Sequence, residues 1–306
     1  MVRVSVVIPA YNCCGTIREA IESVLAQDVD NVESIVVDDG SIDSTPHVLE
    51  NYKSSITAIR QANAGAAAAR NVGVSAASGK YLAFLDADDV WLPGRLRRTL
   101  DALEGNPEAV LSFSDYLFAD HSLEILHRSC AGRAPSHQDL LGRSWAILPS
   151  AVTVRRSALE KAGGFCEEFK GCGGEDPYMW LVLSEFGPFE YIPEPLMIHR
   201  SGASRTVIEK YEAGRQTFVR LVRSRYGNAA EGCIRESREY FAHMFLAGAL
   251  EELDRGNLAR AVYLLCRVVY YRPFFFFDPK LARKLLSARN AKRLVTGLFT
   301  SPLCRR

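Results

Sequence analysis

The sequence KYLAFLDADDVWL, residues 80–92, decides the fold. Its apolar run Tyr81–Leu85 is short, follows a glycine and ends abruptly, which predicts a buried strand closed by a turn. The carboxylates Asp86, Asp88 and Asp89 then lie at the carboxyl end of that strand. Ligands bind at this edge in open α/β sheets, so the stretch marks a candidate site. An acidic turn that only caps the next helix is the alternative.

Close carboxylates repel one another unless a positive group lies between them. A divalent cation with oxygen ligands is a common solution, and such a cation often holds a substrate's phosphates as well. The acids of residues 86–89 therefore indicate a metal site for a phosphate-bearing ligand.

The residues before this stretch repeat one pattern, a buried strand followed by an amphipathic helix. Residues 3–9 are predicted as a strand, and residues 16–27 as a helix with apolar positions at i, i+3, i+4 and i+7. A second strand, residues 34–37, also ends in carboxylates, Asp38 and Asp39. Further predicted elements are helices over 43–52 and 65–77 and a strand over 56–60. Alternating strands and helices predict an α/β fold with a parallel sheet.

The later elements are more varied. Strands are predicted over 109–114, 150–154 and 196–199, and helices over 155–162 and from residue 175. Residues 115–133 carry scattered polar side chains and are expected to form strands and a loop over the site. The glycine-rich segment 163–174 is expected to be flexible and to order when substrate binds.

Four motifs in this order resemble glycosyltransferase family 2, which has the GT-A fold. They are VSVVIPAYN from Val4, VVDDGSIDST from Val36, NAGAAAARNVGVSAASGKYLAFLDADD from Asn63, and GGF with GEDPYMWL between Gly163 and Leu181. The resemblance extends from Val4 to about Ser204. It implies a Rossmann-like mixed sheet flanked by helices. It also implies an inverting transfer of sugar from a nucleotide donor, most often a UDP-sugar, to a hydroxyl acceptor.

For the donor, the resemblance implies that Pro9 and Tyr11 lie beside the nucleobase and that Asp39 contacts uracil. An aromatic ring that stacks on a base and a carboxylate that accepts N–H bonds are chemically suited to these roles. A half-buried loop tyrosine and a turn carboxylate are the structural alternatives. Nearby candidates for phosphate or base contacts are Arg60, Arg70 and Asn71. A salt bridge on the helix surface is the alternative for Arg70.

For the metal, the resemblance implies that Asp86 and Asp88 form the Asp-x-Asp motif. Asp88 is the predicted ligand of Mn²⁺ or Mg²⁺, and Asp86 is expected to reach the ribose or a metal-bound water. The cation would bridge the donor phosphates and stabilise the leaving nucleoside diphosphate. Many relatives carry Arg-x-His further on, with the histidine near the metal. This chain has His199-Arg200 instead, so His199 is either a substitute ligand or an ordinary strand residue.

Glu175 and Asp176 begin a predicted helix directly after the glycine-rich segment. From the residues alone, Asp176 is a helix cap and Pro177 the first helical residue. The resemblance instead implies that Asp176 is the general base for the acceptor hydroxyl, a role worth about 10²–10⁴ in rate. Glu175 is the rival base, since one helix start can aim either side chain inward.

We expect two parts, a catalytic domain over residues 1–205 and a helical region over residues 206–306. Helices are predicted over 209–225, 237–254 and 257–271, the last two as a helical hairpin. Residues 267–306 contain ten Lys or Arg, one acid and the run Phe274–Phe277. Aromatic residues beside basic helices suit a membrane surface with anionic lipids. A packed aromatic cluster beneath a solvated basic helix is the alternative.

Length, net charge, hydropathy and cysteine spacing limit the classes of protein that the sequence fits. The 306 residues carry a net charge of only +1, which favours no nucleic-acid partner. The first residues lack the features of a signal peptide, and no apolar stretch approaches the ~20 residues of a spanning helix. The eight cysteines show no CxxC spacing, so we expect reduced thiols. A cytoplasmic protein, with peripheral contact at the inner face of a membrane, is the expected setting.

Two other functions remain open from the sequence. The string FLDADDV also satisfies the motif of haloacid-dehalogenase-like phosphatases, with Asp86 as the nucleophile. A sugar-nucleotide binder without catalysis is the second alternative. For the glycosyltransferase, the expected acceptor is a surface polysaccharide or a lipid-linked glycan.

Overall fold

A nine-stranded mixed sheet carries the candidate site in this computed structural model, which describes residues 2–142, 147–200 and 205–273. The strands in chain order are β1 (Val4–Ala10), β2 (Val32–Asp38), β3 (Thr57–Arg60), β4 (Tyr81–Phe84), β5 (Val90–Trp91), β6 (Leu111–Ala119), β7 (Ile125–Arg128), β8 (Val152–Arg155) and β9 (Phe189–Arg200). Their order across the sheet is β3-β2-β1-β4-β8-β6-β9-β5, and β7 pairs with β6 outside this sequence.

The helices connect and cover these strands. They are α1 (Ile17–Leu25), α2 (Thr45–Glu50), α3 (Ala66–Ala76), α4 (Arg95–Gly105), α5 (His137–Gly142), α6 (Arg156–Ala162), α7 (Glu175–Leu183), α8 (Arg205–Tyr226), α9 (Glu231–Asp254) and α10 (Leu258–Tyr271). Short 3₁₀ turns occur at Pro149–Ala151, Glu167–Phe169 and Gly227–Ala230.

The first half of the sheet is parallel, as the strand–helix alternation predicts. β3, β2, β1 and β4 run in the same direction. All residues of β1 and β4 are buried, because helices cover both faces of central parallel strands, and this explains their unbroken apolar sequences. β3 is the edge strand, and three of its four residues are exposed.

The second half of the sheet is mixed. β8 pairs antiparallel with both β4 and β6, β9 runs parallel to β6, and β5 runs antiparallel to β9. β9 is much longer than the predicted strand over 196–199, because Pro193 and Pro195 interrupt its apolar pattern and its register shifts beside β6. α4, α5 and the two-residue β5 were absent from the sequence prediction. The predicted α/β class, a mixed sheet flanked by helices and followed by helices, is confirmed.

The chain divides into two compact units after Asn228. α8 therefore belongs to the first unit, whereas the predicted domain boundary at residue 205 precedes it. In the second unit, α9 and α10 form the predicted helical pair, and the ring of Phe245 stacks on Tyr271 with centroids 5.6 Å apart. The run Phe274–Phe277 and most of the basic stretch lie outside the described residues. Within the described part of the chain, no helix has both the length and the apolar character to span a bilayer.

Candidate active site

Three neighbouring parallel strands bring the predicted donor and metal residues to one edge of the sheet. β2, β1 and β4 lie side by side, and Asp39, Tyr11 and Asp86 follow their carboxyl ends. Adjacent strands are about 4.8 Å apart, so the residues that follow them are close neighbours. This is the edge at which open α/β sheets bind ligands.

Tyr11 lies in the loop after β1 and is 50% exposed. Two hydrogen bonds fix this loop to the one after β2. The Asn12 N–H donates to Ser41 Oγ over 3.0 Å, and the Ile42 N–H donates to Asn12 Oδ1 over 2.8 Å. An accessible ring on a fixed loop is suited to stacking on a base. Pro9 is buried within β1 two residues earlier.

Asp39 is 3% exposed and braces the loop that leads into α3. Its Oδ1 accepts hydrogen bonds from Gln61 Nε2 at 2.7 Å and from the Ala64 N–H at 2.8 Å. Its Oδ2 accepts one from the Gly65 N–H at 2.8 Å. A carboxylate offers about four acceptor positions. Among the described residues, only the Gly65 N–H donates to Oδ2, so a second position on this oxygen suits an N–H of a base.

Asp38 and Arg60 form a separate pair at the same turn. Asp38 Oδ1 accepts from the Ser41 N–H at 2.8 Å, and Oδ2 pairs with Arg60 Nη1 at 2.6 Å. Arg60 Nη2 also donates to the Ser41 carbonyl at 2.8 Å. Asp38 therefore points into its own turn, and Arg60 stabilises that turn.

Arg70 joins residues from three distant parts of the sequence. Its side chain is only 3% exposed. Nη2 donates to Asp86 Oδ1 at 2.7 Å, while Nη1 donates to Glu175 Oε1 at 3.0 Å and to Asp176 Oδ1 at 3.1 Å. The guanidinium also lies 5.3 Å from the centre of the Phe165 ring. α3 thus places one cation between the first Asp of the motif and both candidate bases.

Three carboxylates share this one guanidinium. Burial raises the pKa of Asp176, and the nearby Glu175 and Asp86 add to that effect, so it stays well above its usual value although Arg70 opposes the shift. Burial alone would lower the pKa of Arg70, but the carboxylates outweigh it and keep this side chain protonated. The alternative of a surface salt bridge for Arg70 is wrong, because the side chain is buried and both of its Nη atoms face protein carboxylates.

Asn71, the other conventional candidate on α3, holds the glycine-rich segment in place. Its Nδ2 donates to the Phe165 carbonyl at 2.9 Å and to Glu167 Oε1 at 2.9 Å. The Phe165 N–H donates back to Asn71 Oδ1 at 2.8 Å. These contacts fasten the start of the glycine-rich segment to α3.

Asp89 organises the other side of the acidic turn and is 1% exposed. Its Oδ2 accepts from Ser150 Oγ at 2.6 Å, and its Oδ1 accepts from the Arg200 N–H at 3.1 Å. Ser150 Oγ also accepts from the Asp86 N–H at 3.0 Å. Asp89 is thus neither a helix cap nor solvated, because it fixes the turn against β9 and the residues before β8.

His199 and Arg200 extend this network from the end of β9. His199 Nδ1 lies 3.0 Å from Asp89 Oδ1. Burial lowers the pKa of His199, but its hydrogen bond to Asp89 and the nearby acids raise it above its ordinary value. Arg200 is 6% exposed and binds the Asp88 carbonyl through Nε at 2.9 Å, together with the carboxylate of Glu19. His199 therefore supports the acidic turn through Asp89.

Asp88 differs from its neighbours because it has no ion pair with any described residue. The residue keeps access to solvent, yet its carboxyl is surrounded by enough protein to raise its pKa. Desolvation is the largest cause, followed by repulsion from Asp89 and Asp86, and the pKa of Asp88 rises to about 7. An accessible carboxyl that is costly to ionise marks a place where a cation would bind favourably.

The oxygen donors at this turn fit Mg²⁺ or Mn²⁺. Over the described residues, no group of three or more His, Cys, Asp or Glu side chains could hold a metal alone. Such cations usually take one or two carboxylates and complete their coordination with substrate phosphates and water. Asp88, with Asp86 beside it, fits this arrangement.

Several residues of the site were not predicted from the sequence. Ser150 holds the acidic turn, Glu19 pairs with Arg200, and Phe165 lies against Arg70. Each of the three stands in an ordinary strand, helix or loop pattern of the sequence. Only the departure from Arg-x-His at His199-Arg200 signalled that the end of β9 is unusual. The candidate bases and the motif acid were each predicted, but their shared contact with Arg70 was not.

Comparison with known proteins identifies the family. Residues 5–163, just over half of the chain, match Glycosyl transferase family 2. The chain therefore belongs to glycosyltransferase family 2, as the four motifs predicted. This family assignment gives no support to the phosphatase alternative.

Two curated relatives illustrate the range of the family. An uncharacterized glycosyltransferase of Nostoc sp. is 35% identical over 201 residues, which are 60% of this chain and 57% of that protein. The chain thus spans little more than half the length of that relative. The Escherichia coli protein WfaP, named a UDP-Glc:alpha-D-GlcNAc-diphosphoundecaprenol beta-1,3-glucosyltransferase, is 38% identical over 115 residues, 37% of this chain and 45% of WfaP.

Solved structures agree with the fold. S. aureus TarS 1-349 in complex with UDP-GlcNAc has a TM-score of 0.63 at 17% identity, over 96% of this chain and 90% of that one. The mannosyltransferase PcManGT from Pyrobaculum calidifontis, in complex with GDP-Man and Mn²⁺, has a TM-score of 0.59 at 18% identity, over 96% and 87%. The predicted GT-A fold is confirmed.

Proposed function

We propose that this protein is a metal-dependent inverting glycosyltransferase that moves a sugar from a UDP-sugar to a hydroxyl acceptor. The observation that carries the proposal is the cluster around Arg70. It holds the first acid of the Asp-x-Asp motif and two candidate bases within 3.1 Å of one guanidinium. A donor-binding edge and a proton acceptor next to each other are what transfer to a hydroxyl requires.

On the donor side, Tyr11 stacks on the uracil and Asp39 accepts its N–H through the remaining position on Oδ2. Pro9 shapes the end of β1 behind them. The fixed loops after β1 and β2 support these roles, because neither side chain needs to rearrange before the base binds.

Asp88 is the proposed ligand for Mn²⁺ or Mg²⁺, and Asp86 stands beside it for the ribose or a metal-bound water. The cation, when bound, stabilises the negative charge that develops on the departing diphosphate. Asp89, Ser150 and Arg200 keep the turn that carries Asp88 in a fixed conformation. Arg70 acts on Asp86 and on the bases, so we assign it the positioning of these carboxylates and not a direct phosphate contact.

Asp176 is the proposed general base. Its side chain is 23% exposed, whereas that of Glu175 is 10% exposed, so Asp176 is the more accessible of the two. A raised pKa makes an ionised Asp176 a stronger proton acceptor. Asp176 Oδ takes the proton from the acceptor hydroxyl as that oxygen forms its bond to the anomeric carbon. The bond to the diphosphate breaks on the opposite face, which inverts the configuration.

The proposed acceptor is a lipid-linked glycan or a growing polysaccharide, and the proposed setting is the cytoplasm at the inner face of a membrane. The name of WfaP, which includes a diphosphoundecaprenol acceptor, supports a lipid-linked acceptor. The outer face of α10 supports membrane contact, since Tyr263 is 44% exposed and Tyr270 is 70% exposed. Tyrosines beside basic side chains suit the interface of an anionic membrane. The C-terminal region, residues 206–306, is the proposed contact region.

The experiment is a panel of UDP-, GDP- and dTDP-sugars with Mn²⁺, scored by release of the nucleoside diphosphate with and without glycan acceptors. We expect slow release from one UDP-sugar alone and faster release with the correct acceptor. Tight UDP binding without release from any donor would support a non-catalytic binder. Asp176→Asn is expected to keep donor binding and lose transfer, and retained turnover would move the base to Glu175.

A further inference from the structure

The turn that carries the two candidate bases has little support of its own. It consists of Gly171–Gly174, and three of its four residues are glycines with positive φ. Gly174, at φ 108°, precedes α7 without any side-chain cap. Within the turn, the Cys172 N–H donates to the Phe169 carbonyl at 3.0 Å. A glycine-rich segment with few bonds of its own must be fixed from outside if the following side chains are to be aimed accurately.

α8 supplies a backbone contact at this turn. A Cβ atom added to Gly214 would lie 1.8 Å from the Gly173 carbonyl oxygen and 2.2 Å from the Cys172 carbonyl oxygen. No side chain fits there, so the α8 backbone packs directly on the turn. Glycine inside a helix is destabilising relative to alanine, and Gly214 is in the middle of a 22-residue helix. The close contact explains why a glycine stands there.

Two ionic contacts keep α8 beside the same region. Arg220 pairs with Glu168 just before the turn. Arg225 pairs with Glu185 just after α7, with Nε to Oε1 at 2.7 Å. α8 is therefore bound to the chain on both sides of the candidate bases, and Gly214 precedes both arginines on the helix.

We propose that Gly214 is a positioning residue for acceptor activation. By letting α8 contact Cys172 and Gly173, it fixes the turn that precedes α7 and so aims Glu175 and Asp176. The inference rests on the base role proposed above. It assigns to α8, which lies after the predicted catalytic region, a direct effect on the chemical step and none on donor binding.

The test compares Gly214→Ala with Gly105→Ala. Gly105 also lies in a helix, at the end of α4, but a Cβ there meets nothing within 4 Å. In Gly214→Ala the turn must move by roughly 1 Å, and misplacements of that size reduce rates by about 10²-fold. We expect kcat for transfer to fall by that order while the KM for the donor and Mn²⁺-dependent UDP affinity stay at wild-type values. Gly105→Ala is expected to match the wild type in all three.

Hydrogen exchange gives a readout that needs no turnover. The amides of residues 172–176 are expected to exchange faster in Gly214→Ala and at the wild-type rate in Gly105→Ala. If the wild type transfers no sugar from any donor, the proposed function fails, and this exchange result still tests the contact. Equal kcat and equal exchange in both variants would overturn the inference, and so would a parallel loss of donor affinity.

If Gly214→Ala does not fold, Arg220→Gln replaces it. That side chain is 58% exposed, and exposed ion pairs contribute little to stability, so folding is retained. A lower kcat with unchanged donor affinity and faster exchange at residues 172–176 would support the inference. Wild-type kcat and wild-type exchange would overturn it.

Discussion

The carboxylates around the end of β4 form two groups with different charge balance. In the first group, Asp86, Glu175 and Asp176 share the buried guanidinium of Arg70. In the second, Asp89 is bound to Ser150 and to the end of β9, while Asp88 next to it has no cationic partner among the described residues. In the first group the protein supplies its own counter-charge at Arg70. In the second group Asp88 stays accessible, and its pKa is raised to about 7.

This difference teaches which part of the site the protein completes and which part it leaves to a ligand. A fold that supplies its own cation at Arg70 fixes the positions of the bases before any substrate binds. A fold that leaves Asp88 without one creates a demand for positive charge. In the proposed function, a divalent cation that arrives with a nucleoside diphosphate would supply this charge.

Arg70→Met should have the largest effect, because it removes the one cation that pairs with the first group among the described residues. Loss of one partner of a buried ion pair typically costs about 3–5 kcal/mol, and transfer should be lost as well. The measurement is the free energy of unfolding in urea. Arg3→Met is the control, since the Arg3–Glu104 pair is 36% and 42% exposed and is expected to contribute less than about 1 kcal/mol. If both variants lose the same free energy of unfolding, Arg70 does not balance the buried carboxylates of the first group.

Ser150→Ala should have a smaller effect, confined to the second group. Ser150 Oγ donates to buried Asp89 and accepts from the Asp86 N–H, so its removal leaves buried polar groups without partners at a cost of about 1–3 kcal/mol. Metal-dependent UDP affinity should fall because the acidic turn loosens. Ser75→Ala is the control, as Ser75 is an exposed helix serine bonded to the Asn71 carbonyl. If the two variants have the same free energy of unfolding and the same metal-dependent UDP affinity, Ser150 does not organise the turn.

Asp43→Asn should have the smallest effect. Asp43 serves as a reference, because neutral N–H groups hold its carboxylate. Burial alone would raise the pKa of Asp43, but hydrogen bonds from Thr45 and Cys14 lower it to about 2. Since its pKa is lower in the folded than in the unfolded state, its stabilisation is present above about pH 4 and is lost as the pH falls to about 2. The difference in unfolding free energy between wild type and Asp43→Asn should therefore shrink over this range. A difference that is constant with pH would contradict the assignment.

The edge of the sheet that we propose binds the donor could be predicted from the sequence, because each of its residues directly follows a short strand pattern. Tyr11, Asp39 and Asp86 each follow a short apolar run, and the parallel arrangement of such runs brings their ends together. The same logic identified α7 and its opening acids. The predicted bounds of the elements from β1 to β4 agree with the structure within two residues, whereas β6 extends five residues past the predicted strand over 109–114 and α9 begins six residues before the predicted helix over 237–254.

The rest depends on contacts that no local pattern encodes. Arg70 meets Glu175 and Asp176 across more than a hundred residues, and a positive charge on a helix has the same sequence signature whether it faces solvent or a buried acid. Most of β9 was not predicted, because Pro193 and Pro195 interrupt its strand pattern. The role of Ser150 follows only from the antiparallel pairing of β8 with β4, which places it under the acidic turn.

The central claim, that Asp88 is where a divalent cation joins the nucleotide, is tested most directly by titrating UDP into wild type and Asp88→Asn with and without Mn²⁺. We predict that Mn²⁺ strengthens UDP binding to the wild type by about tenfold or more, within the usual range for two coupled ligands. In a folded Asp88→Asn protein this gain should vanish, while any metal-free UDP binding through Tyr11 and Asp39 persists. The same Mn²⁺-dependent gain in both proteins would contradict the account.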